Sequence, residues 1–219
     1  PAWAGSGEAA HAAYAQWQVC PSNPGDIQLG AVMEWLEANM PAETIYTNGA
    51  GNFSVWLHRF HRYRRLGTQL APTSGSMGYG FPAAIAAAIV QPETPVVCFA
   101  GDGDFLMSAQ DLATAMAAGA KPVTIVFNNG ILGTIRMHQE NHYPGRVSAT
   151  DLVNPDFAAY AKAFGAHGET VRTTAEFAPA MERALASGKA AVIDLKLDPE
   201  AITPRTTLTK LRQAAQDKA

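Results

Sequence analysis

The chain has 219 residues, with 16 Lys and Arg against 19 Asp and Glu and a formal net charge of −3. That length supports one domain or slightly more with a real core, and the charge balance supplies no general attraction to nucleic acid or an anionic membrane. No stretch approaches the roughly 18 apolar residues that span a bilayer, and two distant cysteines, Cys20 and Cys98, suggest no disulfide framework, which fits a reducing, cytoplasmic setting.

The opening residues, Pro1-Ala2-Trp3-Ala4, carry neither an initiator Met nor a charged leader, so they read as a cut point. An Ala-rich segment over 5–18, with Tyr14 and Trp17, predicts a helix, and Cys20 to Gly25 breaks it. Residues 1–24 are therefore read as the end of a preceding domain and a linker. Asp26 can cap the next helix, whose buried stripe is Leu29, Val32, Met33, Leu36 and Met40. A short strand, Thr44 to Thr47, runs into the small-residue turn Asn48-Gly49-Ala50-Gly51-Asn52. The basic and aromatic run Val55 to Arg65 has no supporting basic face elsewhere, so it reads as a helix with a solvated or subunit-facing side. A second loop, Pro72 to Pro82, opens an alanine helix, Ala83 to Val90. Its Gly78-x-Gly80-x-x-Ala83 matches a loose dinucleotide fingerprint, without a clear preceding strand or an acidic partner for a ribose.

The stretch Pro95 to Ile131 organises the rest. The apolar run Val96–Ala100 stops at Gly101-Asp102-Gly103, a helix follows, and a second apolar run, Val123–Phe127, stops at Asn128-Asn129. This is a βαβ pattern. Ser108-x-x-Asp111 is a loose capping box for its helix. A short helix is expected over Ile131–Glu140, where His138 and His142 have a zinc-compatible spacing but no evident third ligand. Later elements are a helix over Asp156–Phe164, a strand at Glu169–Val171, a helix starting between Thr174 and Ala178, and a strand over Ala190–Leu195. Pro179 favours the later start for that helix. Residues 25–198 form the main domain and 199–219 a polar tail with one helical turn at Leu208–Leu211. Alternating strands and helices predict the α/β class, a mainly parallel sheet with helices on both faces.

The chemistry gathers at the strand ends, where open α/β sheets bind ligands. If the two apolar strands lie close, the Asp102 carboxylate and the Asn129 carboxamide oxygen converge, and the Ile131 carbonyl adds a third hard oxygen. Such a set suits Mg²⁺ shared with phosphate oxygens. Gly103 and Asp104 offer amides to the anion. Alone, Gly-Asp-Gly is a tight turn; its pairing with Asn-Asn, each after an apolar strand, favours a site.

Gly101-Asp102-Gly103, its spacing to Asn128-Asn129, and the loop Gly75-Ser76-Met77-Gly78-Tyr79-Gly80-Phe81-Pro82-Ala83-Ala84 together resemble the thiamine-diphosphate-dependent enzymes, in the acetolactate synthase and 2-oxoacid decarboxylase branch. The resemblance covers roughly 25–198, the carboxy-terminal cofactor domain. It implies thiamine diphosphate and Mg²⁺ as cofactors, with Asp102, Asn129 and the Ile131 carbonyl on the metal. Gly51, Asn52, Gly101, Gly103 and Asp104 would lie at the diphosphate, the Asp104 side chain turned away and its amide donating. Gly75 and Ser76 would lie at the pyrimidine end, and Met77 would wedge between the rings and bend the cofactor, unless it is simply core filling. His138 is a candidate proton donor to substrate, and Gln139 and His142 could face it too. The implied reaction is decarboxylation of a 2-oxo acid such as pyruvate, with ligation of the product to an acceptor. The implied partner is a glutamate-bearing pyrimidine domain of another subunit in a dimer or tetramer, so the chain alone is expected to be inactive. A simple decarboxylase, an oxidase, an aldehyde lyase, a non-catalytic binding module and a nicotinamide dehydrogenase domain are the other readings.

Overall fold

The long apolar runs become strands of one sheet, because each is covered on both faces. The computed structural model describes residues 3–218; Pro1, Ala2 and Ala219 lie outside the described residues, as does the first half of the expected cut point. In chain order the elements are α1 (Ser6–Trp17), α2 (Leu29–Asn39), β1 (Ile45–Asn48), α3 (Ser54–Phe60), β2 (Gln69–Leu70), α4 (Gly80–Val90) and β3 (Val96–Gly101). They continue with α5 (Asp102–Phe105), a 3₁₀ turn (Ala109–Asp111), α6 (Leu112–Ala118), β4 (Val123–Asn128), α7 (Gly133–His142), α8 (Phe157–Ala163), β5 (His167–Val171), α9 (Thr174–Ala186), β6 (Ala191–Lys196) and α10 (Leu208–Gln216).

The six strands are parallel, in the order β2-β1-β3-β4-β6-β5. Side chains alternate between faces along each strand. Val97, Phe99, Ile125, Phe127 and Ile193 pack against α2, α3 and α9. Val96, Cys98, Ala100, Val126 and Val192 pack against α4, α6 and α8. The expected α/β class, parallel sheet and two helical layers are all present.

β2 and β3 flank β1, so the winding reverses there. The helix after β1, α3, joins one layer, and α6, after β3, joins the other. A crevice opens between them at the carboxyl ends of β1 and β3.

Five local expectations change. The basic run is helical only to Phe60, and His61 turns extended. Glu37 on α2 then gathers the positive segment, pairing with Arg64 and with His61 Nδ1 at 3.2 Å. The Leu29 amide is taken by Asn23 Oδ1 at 2.8 Å, so Asn23 rather than Asp26 serves the start of α2. α9 begins at Thr174, earlier than Pro179 suggests, because Thr173 and Glu176 form a reciprocal capping box. Ser108 caps nothing and its buried hydroxyl has no partner. The expected helix after Gly103 is broken there into α5, the 3₁₀ turn and α6.

The segment after Leu197, read as a polar tail, returns to the body. Ile202 and Leu208 bury against Ile131. Arg212 on α10 reaches the fully buried Glu140 on α7, with Nε–Oε2 at 2.9 Å. The sequence signal for this helix was faint because its buried anchor is one residue, Leu208. Among the described residues no helix is long and apolar enough to cross a membrane.

Candidate functional site

β3 passes directly into α5, which brings Asp102 to the sheet's carboxyl edge as a buried residue. Its Oδ1 accepts from the Gly103 amide at 2.9 Å. Its Oδ2 accepts from the Gly130 amide and from Asn154 Nδ2, both at 2.8 Å. Asp102 thus ties the ends of β3 and β4 together. A carboxylate offers about four lone-pair sites, so one remains on Oδ1 for a cation. Burial raises the Asp102 pKa, and the Asn154, Gly103 and Gly130 donors oppose it.

The two asparagines after β4 divide their work. Asn129 lines the crevice, and its Oδ1 lies 3.3 Å from the Ile131 amide that it accepts from. Asn128 turns into the protein, where its Nδ2 donates to Asp194 Oδ1 at 2.9 Å. Asn154 Nδ2 donates to Asn128 Oδ1 at 2.9 Å while also holding Asp102. Ile131 is bridged to Asp151, which fixes the chain just past Asn129. Asn154 was not singled out from the sequence, where it precedes the helix expected over Asp156–Phe164.

The turn after β1 forms the facing wall. The Asn52 amide donates to Thr134 Oγ1 at 3.1 Å, and Thr134 donates back to Asn52 Oδ1 at 3.0 Å. Only Asn52 Nδ2, 3.5 Å from the weak acceptor Met137 Sδ, is left for an anion. Asp104 does turn its carboxylate to protein: Oδ1 accepts from the Gly78 amide at 2.8 Å and from Ala50 at 3.2 Å. Burial pushes its pKa up to about 6, against the pull of the Gly78, Ala50 and Gly101 amides. A Cβ on Gly103 would lie 2.8 Å from Leu132 Cδ2, so any side chain there would push the Leu132 side chain aside.

These parts enclose an open cleft of ≈ 500 Å³ that collects Gly51, Asn52, Met77, Gly101, Asp102, Gly103, Asp104, Asn129 and Ile131. A second cleft of ≈ 520 Å³ shares Ala50, Gly51, Met77 and Leu132 with it and adds Gly75, Thr134 and Ile135. Met77 therefore stands where the two meet, with its methyl 3.7 Å from the position of a Cβ on Gly103. Ser76 and His138 line neither cleft. Ser76 is exposed and bonded to Ser74 Oγ at 2.8 Å. His138 is exposed on α7, with its ring centroid 6.3 Å from that of His142. Among the described residues no three His, Cys, Asp or Glu side chains form a metal-binding group. The donors at the cleft are hard oxygens from one carboxylate, one carboxamide and one carbonyl. That set fits Mg²⁺ shared with phosphates, not zinc.

A family model described as "Thiamine pyrophosphate enzyme, C-terminal TPP binding domain" matches residues 49–195. The chain is 30% identical over 179 residues to the acetolactate synthase isozyme 2 large subunit of Escherichia coli (strain K12), a match covering 80% of this chain and 33% of that protein. To the acetolactate synthase of Mycobacterium leprae (strain TN) it is 36% identical over 154 residues, 68% of this chain and 25% of that one. Its fold matches the thiamine diphosphate-dependent 4-hydroxybenzoylformate decarboxylase of Rhodococcus jostii RHA1 with a TM-score of 0.75 and 26% identity, over 82% of this chain and 34% of that one. The benzoylformate decarboxylase of Polynucleobacter necessarius matches with a TM-score of 0.72, also at 26% identity, over 80% and 34%. The chain spans about a third or less of the length of these proteins.

Proposed function

This chain belongs to the thiamine pyrophosphate enzymes, matching their C-terminal cofactor-binding domain, and on that premise we propose that its cleft holds thiamine diphosphate through Mg²⁺ for decarboxylation of a 2-oxo acid such as pyruvate, followed by ligation of the product to an acceptor carbonyl. The observation carrying this reading is the convergence of Asp102, Asn129, Ile131, Gly51, Asn52 and Met77 on one cleft at the β1–β3 crevice.

Asp102, Asn129 and the Ile131 carbonyl would hold the metal, a hard-oxygen set of the kind Mg²⁺ takes when it is shared with phosphates. The Gly103 amide is bonded to Asp102, so the anion falls to Asn52 Nδ2, the Asp104 amide and the Gly51 backbone. Gly75 and Met77, which line the second cleft, would hold the pyrimidine end through their carbonyl and amide. The Met77 side chain, which stands where the two clefts meet, would be the residue that orients the bound cofactor. Phe53, Leu132 and Ile202 line the cleft with apolar surface that excludes water. When bound, the cofactor supplies the electron sink that lets CO₂ leave.

A glutamate on a partner subunit's pyrimidine-binding domain, in a cytoplasmic dimer or tetramer, would supply the acid-base group that the second cleft lacks among the described residues. The exposure of Ile135, 47% at the second cleft, supports that surface. Decarboxylation without ligation is the second reading, supported by the fold likeness to the two benzoylformate-type decarboxylases. Calorimetry with thiamine diphosphate and Mg²⁺, paired with a CO₂-release assay on pyruvate, tests the proposal. Cofactor binding without sustained turnover by the 219-residue chain is expected. An absence of cofactor binding contradicts the reading, and sustained CO₂ release by this chain contradicts the need for a second domain.

A further inference from the structure

The Asp104 carboxylate takes no part in the oxygen donor set, yet it is only 3% exposed. Among the described residues it forms no ion pair. A buried carboxylate without a cation is costly unless amides compensate it. Here one oxygen, Oδ1, accepts from two amides on two different loops, Ala50 after β1 and Gly78 before α4. The chain makes room for it: a Cβ on Gly49 would lie 2.0 Å from Asp104 Oδ1 and 2.1 Å from Oδ2. The two loops also meet below the carboxylate. Thr47 Oγ1 donates to the Gly80 carbonyl at 2.8 Å, and a Cβ on Gly80 would lie 2.4 Å from the Gly49 nitrogen.

We propose that Asp104 is a positioning residue whose carboxylate clips the Gly49–Asn52 turn to the Gly75–Gly80 loop, and so fixes Met77 relative to Asp102 before any ligand arrives. What the two loops grip rests on the function proposed above; the clip itself rests on geometry alone. Charge-assisted bonds to two amides are about twice as strong as neutral ones. Three chain segments that are far apart in sequence thereby become one rigid wall.

Amide hydrogen exchange on the 219-residue chain, without cofactor, tests the clip. In Asp104→Ala the Gly78 and Ala50 amides should exchange about tenfold faster or more, while the Ile125 amide in β4 keeps its wild-type rate. Asp104→Asn, which retains an acceptor oxygen, should restore most of the protection. Gly49→Ala, whose methyl displaces the carboxylate, should expose the same two amides and serves if Asp104→Ala does not fold. Wild-type exchange at Gly78 and Ala50 in either Ala variant overturns the clip, and so does uniform acceleration that includes Ile125. A parallel titration with thiamine diphosphate in saturating Mg²⁺ should show about tenfold weaker binding by Asp104→Ala. A wild-type chain that binds no cofactor overturns the reading of the cleft and leaves the exchange result to decide the clip.

Discussion

The buried carboxylates at the cleft and those elsewhere in the chain are compensated in opposite ways. Glu140, fully buried, faces the Arg212 guanidinium through two bonds. Asp194, also fully buried, has Lys196 Nζ 2.8 Å from its Oδ2. The Arg212 bonds hold the Glu140 pKa below its ordinary value. Asp102 and Asp104 meet only amides and one carboxamide, and burial raises the pKa of both. Charges that serve the fold are matched by cations within the chain, whereas the two cleft carboxylates are matched by none, as the proposed Mg²⁺ site requires of Asp102.

Removing the charge at the cleft should have the largest effect. Asp102→Ala is expected to weaken Mg²⁺-dependent thiamine diphosphate binding more than about 100-fold, beyond the range for partners that only orient a ligand. Fluorescence of Trp56, which lines the cleft, reports it. Unchanged affinity would erase the distinction between the two sets of carboxylates. Arg212→Leu attacks the other set and should cost about 2–3 kcal/mol in denaturant unfolding, because Glu140 is left buried without its cation. The Glu140→Gln/Arg212→Leu double variant should recover part of that loss, and an additive loss would contradict the pairing.

Asn154→Ala should weaken metal affinity about 10- to 100-fold by freeing the Asp102 carboxylate. A cofactor titration across Mg²⁺ concentrations reads this, with thermal unfolding as the control for general damage. The smallest effect is a slope with pH. Because the folded-state pKa of Glu140 is depressed, its stabilisation is present above the ordinary glutamate pKa of about 4.3 and fades as pH falls through the folded value. Glu140→Gln should flatten that acid-side decline in unfolding free energy.

The sheet was readable in the sequence because β3, β4 and β6 are covered on both faces, which forces continuous apolar runs. Asp102 and Asn129 drew notice because each run stops in short polar residues, and both line the cleft. The two-residue edge strand β2 carried no such run and was missed. Asn154 and Thr134 escaped notice since their partners, Asp102 and Asn52, are distant in sequence and met only in the folded chain. Glu140 entered the sequence reading only as the end of a short helix, and its partner Arg212 lies 72 residues away on α10. The Asp104 side chain was expected to avoid the anion, and it does so by a route only the fold supplies, the space above Gly49.

One titration addresses the cleft directly: thiamine diphosphate added to the 219-residue chain in a calorimeter, with Mg²⁺ and then with the metal chelated. Saturable binding at one site that is lost on chelation is the predicted result. Equal affinity with and without the divalent cation would contradict the assignment of Asp102 and Asn129 as its ligands.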